Sequence, residues 1–239
     1  MNASVRPSSL KLAASREALS PQLATLLALQ RAEEPETPTV LIEVPADDIF
    51  QGLMCGRYDL GITWATSTEL PLDRITLWQD ELAVAMPPRS PLLAHQTISP
   101  EHLEHQRLFC CCPSGCEALK LRADEVQLGL HPAGHTEITS FPLMAVFVAA
   151  GYGIGIALRS RIAQARSQGI VLRPLAGEPR KVSLGLFRPR HNTAPETERF
   201  AMRAQRVAAP DPHSTPPLHA QHDKPPGSRR AESPPLPPR

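Results

Sequence analysis

No run of about 18 apolar residues occurs in this chain, so no membrane-spanning helix is expected. Met1 to Pro7 lacks the apolar core of a signal peptide, which makes the cytoplasm the expected compartment. Neither charge sign dominates. Lys and Arg number 25 against 24 Asp and Glu, a formal net charge of +1, which argues against a surface dedicated to nucleic acid. G-x-S-x-G, H-E-x-x-H and a Walker loop are absent, so the corresponding hydrolase and nucleotide chemistry is excluded and no enzymatic activity is expected. The histidines His95, His102, His105, His131 and His135 are scattered; His102 and His105 lie three apart on a short helix without a third ligand.

A second cysteine pair is also lacking. Cys110, Cys111, Cys112 and Cys116 crowd together, whereas zinc sites draw on separated pairs. Neighbouring cysteines on a strand point to opposite faces and cannot all reach one metal. Cys110 and Cys112 read as small core residues, and no metal or cofactor is expected. A thiol redox sensor using Cys111 or Cys116 is the alternative reading. Gly151-Tyr152-Gly153-Ile154-Gly155 imitates a dinucleotide fingerprint, but a helix precedes it and a strand follows, and Ile156 sits where the third glycine belongs.

What is present centres on Glu137–Ala163. A strand end leads to Ser140, a helix N-cap with Pro142 just inside the first turn. Leu143 to Ala150 is apolar on every side and reads as a buried helix, stopped by Gly151. Ile154 to Leu158 is a short buried strand, and Arg159 to Ala165 a second short helix. Ligands settle at the carboxyl ends of strands, against the following helix N-terminus.

Before this unit, the same alternation runs from the N-terminus. Ser9 to Ala14 is the first strand, with a polar turn at Ser15 to Ala18. Ser20-Pro21 opens a helix carrying Leu23, Leu26 and Leu27. Val40 to Val44 is a strand, Asp47 caps a short helix ended by Gly56, and Tyr58 to Thr63 is a third strand. Ile75 to Trp78 and Glu81 to Met86 read as separate strands, the second stopped by Pro87-Pro88. Pro91 to Thr97 reads as a loop and Ser99-Pro100-Glu101 as a helix start. Leu108 to Cys112 is a buried strand, followed by a helix with Leu119, Ala123 and Val126. Ile170 to Leu172 and Val182 to Phe187 are strands, and Thr193 to Glu196 a capping box before a helix bearing Phe200, Ala204 and Val207. Residues 209–239, about a third proline, are expected to be disordered. Pro234 to Pro238 is also compatible with a polyproline ligand.

Two runs of alternation imply two α/β lobes, with Leu82–Met86 and Val182–Phe187 as crossover strands and a cleft between. The expected division is a short extension 1–8, one domain at 9–208 and the tail 209–239. Within the domain, lobe I takes about 9–81 and 172–208, and lobe II about 82–171.

G-R-Y-D-L-G-I at Gly56–Ile62, D-E-L-A-V-A-M-P at Asp80–Pro87, S-P-L-L-A at Ser90–Ala94 and V-A-A-G-Y-G-I-G-I-A-L at Val148–Leu158 resemble, in order and spacing, the effector-binding domain of LysR-type transcriptional regulators. The resemblance covers about residues 8–208. It implies a fold like the periplasmic solute-binding proteins and a small-molecule effector between the lobes. Members usually begin with a winged helix-turn-helix and a linker helix, which this sequence does not show. No direct DNA binding is therefore expected of it, and a homodimer or pairing with a LysR-type regulator is. Arg159 stands where the family often has proline.

The resemblance puts effector contacts on the inter-lobe edge, where the sequence independently offers polar groups. Ser15 and Arg16 follow the first strand, and Thr63 and Trp64 the third. Ser114 and Gly115 open one lobe II helix; Thr139, Ser140 and Phe141 precede the apolar one. Hydroxyls and helix N-termini favour an anion, Arg16 adds charge, and Trp64 and Phe141 offer apolar cover, so a small carboxylate is the expected effector. Taken singly, each serine is equally a helix cap, Arg16 a solvated charge and Trp64 a core residue at the hinge.

Overall fold

The computed structural model describes residues 9–64, 71–111, 134–138, 140–190 and 194–209. The extension 1–8, the helix expected around Leu119 to Val126 and the tail beyond Ala209 lie outside the described residues.

In lobe I, β1 (Leu10–Ala14) lies between two parallel neighbours, β2 (Thr39–Glu43) and β3 (Leu60–Thr63). The helix α1 (Pro21–Glu33) begins where the Ser20 hydroxyl accepts from the Leu23 amide at 3.3 Å. The next helix, α2 (Ala46–Met54), starts two residues earlier than expected, behind Pro45, so Asp47 does not cap it. Asp47 and Asp48 instead lie in its first turn, where their charge meets the positive end of the helix. Gly56, at φ 72°, turns the chain toward β3.

The largest departure from expectation is β4 (Leu72–Met86), one strand of 15 residues rather than two short ones. No glycine or proline interrupts it, and a register shift between Thr76 and Gln79 takes up one extra residue at Leu77-Trp78, after which Gln79 and Asp80 pair with Ser183 and Val182. The first part of β4 pairs with β9 (Lys181–Pro189) in lobe I. Its last part pairs with β7 (Ile154–Leu158) and β8 (Val171–Pro174) in lobe II. One strand thus belongs to both lobes, and residues 175–180 return the chain from β8 to β9. Lobe II is completed by β5 (Arg107–Cys111), parallel to both β7 and β6 (Gly134–Ile138). The sheet runs β2-β1-β3-β9-β4-β7-β5-β6, with β8 also on β4. This is the expected two-lobed, periplasmic-binding-protein-like α/β fold. The Pro91–Thr97 stretch is not all loop: Pro91–Ala94 forms a turn of 3-10 helix, and α3 (Pro100–Leu103) follows.

Strand alternation gives the sheet two packed faces. Leu82, Val84 and Met86 join the core shared by both lobes, while Ala83 and Ala85 face a second cluster in lobe II. Cys110 and Cys111 divide the same way, one into each cluster, as two neighbours on a strand must. The helix α4 (Phe141–Ala149) covers the second cluster with Met144, Ala145 and Val148. It is not buried all round as expected. Leu143 is 49% and Val146 65% exposed, because only one side of the helix meets the sheet. After β7 comes the short helix α5 (Arg159–Gln164).

The last helix, α6 (Pro195–Ala208), has Ala194 at its N-cap; Thr193 lies outside the described residues. It returns to α1, burying Phe200 and Ala204. Arg203, 7% exposed, reaches three groups near the end of α1. Its Nη1 donates to Gln30 Oε1 at 3.0 Å, Nε to Glu33 Oε2 at 2.7 Å and Nη2 to Glu34 Oε1 at 2.6 Å. Arg199 also pairs with Glu34. Donation from Arg199 and then Arg203 holds the Glu34 carboxyl down at about 2.

Arg203→Ala leaves Gln30 Oε1 without its donor and Glu34 with Arg199 alone, and should cost about 2–4 kcal/mol in denaturant unfolding. Because the Glu34 carboxyl is depressed on folding, its contribution is complete above the ordinary value of 4.5 and disappears as pH falls toward about 2. The stability gap between wild type and Glu34→Gln should therefore close over that window in pH-dependent unfolding.

Candidate functional site

Strand register aims both lobes at one another. In lobe I, Thr63 lies across from Gly185, and β9 runs back from there to Lys181, opposite Glu81 at the crossover. The carboxyl ends of β1 and β3 therefore point toward the hinge. In lobe II, β7 ends at Leu158, opposite Leu82, and β5 and β6 run parallel to it. Their carboxyl ends point toward the hinge from the other side.

Ser15 and Thr63 leave the lobe I sheet side by side, with the Ser15 amide donating to the Ile62 carbonyl at 3.0 Å. Their exposures are 2% and 0%, and neither hydroxyl has a hydrogen-bond partner among the described residues. A buried hydroxyl without a partner costs about 1–3 kcal/mol, so two adjacent ones at a strand edge call for an explanation. Ser15 precedes a single turn of 3-10 helix, Arg16–Ala18, yet its side chain does not cap it. Trp64 is buried in the shared core, and its Nε1 donates to the Glu17 carbonyl at 2.9 Å, fixing that turn. Burial raises the Glu17 carboxyl above the usual carboxylate range, against the pull of Arg161.

Arg16 directs its guanidinium to Glu43 at the end of β2, at 2.8 Å. Its charge is thus already paired. Across the hinge, Ser140 stands at the N-cap of α4 in extended conformation, and its side chain makes no capping hydrogen bond. Phe141, half-buried, packs against the lobe II cluster. Ser114, Gly115 and Thr139 lie outside the described residues.

The sequence did not single out the residues that join the lobes. Three consecutive residues at the start of α5 each cross the boundary. Arg159 pairs with Glu81. The Ser160 hydroxyl donates to Asp80 Oδ2 at 2.5 Å, and its amide to the same oxygen at 3.3 Å. Arg161 Nη2 donates to the main-chain carbonyl of Arg16 at 2.5 Å. A cavity of about 220 Å³ opens beside them, lined by Gln79, Asp80, Glu81, Arg159 and Lys181. The basic Arg-Ser-Arg run directly after a buried strand was the available signal.

Among the described residues no group of His, Cys, Asp or Glu could hold a metal, and no helix is long and apolar enough to cross a membrane. Cys110 and Cys111 are buried, Cys55 is exposed, and Cys112 and Cys116 lie outside the described residues.

The family described as the LysR substrate binding domain matches residues 4–209. No curated protein matches the sequence significantly. Among solved structures, the fold is similar to the BenM effector binding domain with its effector benzoate, at TM-score 0.71 and 18% identity over 90% of this chain and 98% of that one. It is similar to the effector binding domain of QuiR in complex with shikimate, at TM-score 0.74 and 16% identity over 84% and 97% of the two chains. A reduced form of OxyR from N. meningitidis gives TM-score 0.70 and 16% identity over 83% and 95%.

Thr63→Val removes the partnerless hydroxyl while keeping the side chain's shape. It should leave stability unchanged or raise it by about 1 kcal/mol in denaturant unfolding, opposite to the usual sign for a core substitution.

Proposed function

This chain belongs to the LysR substrate binding domain family, and we propose that it binds a small carboxylate between its lobes and signals by closing them. The reading rests on one observation above others: the Ser15 and Thr63 hydroxyls, buried and without partners among the described residues, lie at the lobe I edge that faces the hinge. Each is a donor that a carboxylate oxygen would satisfy. The uncapped Ser140 hydroxyl and the first amides of α4 supply matching donors from lobe II, at the positive end of a nine-residue helix. The similar domains of BenM and QuiR hold benzoate and shikimate, both small acids, which supports the same class here.

Arg161 takes the place that the sequence reading gave to Arg16. It extends from lobe II onto the carbonyl of Arg16, the residue after Ser15, and uses one donor of its guanidinium there. A ligand carboxylate at that point would engage both the lobe I hydroxyls and the lobe II cation, and would favour the closed arrangement by its differential affinity. The protein binds its ligand without turning it over and acts in the cytoplasm, in transcription regulation. Its partner is a second copy or a LysR-type regulator. The exposed Val40 and Leu41 on edge strand β2, with Leu143 and Val146 on α4, are apolar surfaces suited to that pairing.

A thermal-shift panel of small carboxylates, aromatic acids and amino acids should yield a ligand that raises the midpoint in proportion to its saturation. Ser140→Ala and Arg161→Ala should each weaken the hit about tenfold, the loss of one charge-assisted hydrogen bond. Unchanged affinity in both variants, or no hit from a folded protein, contradicts the proposal.

A further inference from the structure

A second cavity lies at the pole of lobe II away from the hinge. It encloses about 530 Å³ and is lined by the loop after β4, by Gln106 before β5 and by the turn between α4 and β7. The register fixes its position. Ala85 pairs with Gly155, and Ile154 with Leu108, so the end of β4 and the beginnings of β5 and β7 meet there. The cleft edge is at the other ends of the same strands.

The walls hold their shape without an occupant. Pro87, Pro88 and Pro91 restrict one side. On the other, Gly151 has φ 80°, and a Cβ on Gly153 would lie 2.4 Å from the Arg107 carbonyl oxygen. Gly151 and Gly153 therefore resist substitution, and neither brings a side chain to the cavity wall. Its size falls within the range of small-molecule sites, about 300–1,000 Å³.

Two opposite polarities line it. Arg89 is an exposed cation with no ion pair among the described residues, and no carboxylate among them lines the cavity. Facing it is the carboxyl end of α4, where the amides of Ala150, Gly151 and Tyr152 cap Val146, Val148 and Phe147. The carbonyls of Ala149 and Ala150 accept no main-chain hydrogen bond among the described residues. The negative end of a helix with free carbonyls favours an ammonium group. Gln106 adds an amide that serves as donor or acceptor.

We propose that this polar hollow is a second ligand site, distinct from the cleft, for a free amino acid. The carboxylate is held by Arg89 and the ammonium by the last carbonyls of α4. The occupant touches the helix whose other end carries Ser140, so the two sites share one rigid element.

The test is a set of amide chemical-shift titrations of the full chain with individual amino acids. For any that binds, the matching carboxylic acid and primary amine are run as controls. Saturable shifts at Arg89, Gln106 and Ala149 to Gly153 are expected, weakened about tenfold or more by Arg89→Glu and unchanged by Ser140→Ala. Arg89 is exposed, so the variant should keep the wild-type thermal midpoint. Shifts confined to the Ser15 and Ser140 edges, equal binding of the carboxylic acid alone, or no saturable shift with any amino acid would overturn the proposal. None of these outcomes depends on what the cleft binds.

Discussion

The structure depends on β4 being one strand in two sheets. Its first part forms a ladder with β9 and its last part with β7 and β8, so a single covalent and hydrogen-bonded element sets the geometry of both lobes. Because the neighbours of β4 run antiparallel to it in both lobes, the parallel strands of each lobe end facing the crossover. A cleft with strand termini on both sides follows from that register alone. Asp80 and Glu81 lie on β4 at the crossing itself, where Ser160 and Arg159 of lobe II hold them.

The cleft edge is arranged at the expense of stability. Two buried hydroxyls lack partners in lobe I, and an N-cap serine in lobe II leaves its helix uncapped. Elsewhere Ser20 caps α1, and Arg203 serves three acceptors between α1 and α6. Among the described residues, buried polar atoms of Gln30, Arg74, Trp78 and Arg188 also lack a hydrogen-bond partner; the two lobe I hydroxyls differ in sitting side by side at strand ends that face the hinge. Arg161 donates to a main-chain carbonyl of the other lobe, and in the proposed function this contact would connect ligand recognition to lobe position.

Much of this was readable locally. Alternating apolar residues gave β1, β3 and β7, Ser20-Pro21 marked α1, and Gly151 stopped α4 where a left-handed residue was required. The positions of Ser15, Thr63 and Ser140 at strand ends and a helix N-cap followed from local chemistry; Ser114 lies outside the described residues. What stayed hidden was decided by distant partners. Whether Gln79-Asp80 ends a strand or continues one depends on β9, about a hundred residues away in sequence. Which arginine bridges the lobes depends on Glu43 drawing Arg16 aside and on Arg161 of α5 reaching the Arg16 carbonyl. The exposed side of α4 was illegible for a similar reason. An apolar helix sequence says that its surface will be covered, not whether the cover is its own chain.

The most direct measurement is amide hydrogen exchange across the chain with and without a saturating small carboxylate, benzoate and shikimate being the first two to use. Closure on a cleft ligand predicts simultaneous protection at residues 15–18 and 63–64 in lobe I and at 140–145 and 159–162 in lobe II, with little change at β2. Protection in one lobe only, or only at sites away from these four segments, would contradict the account.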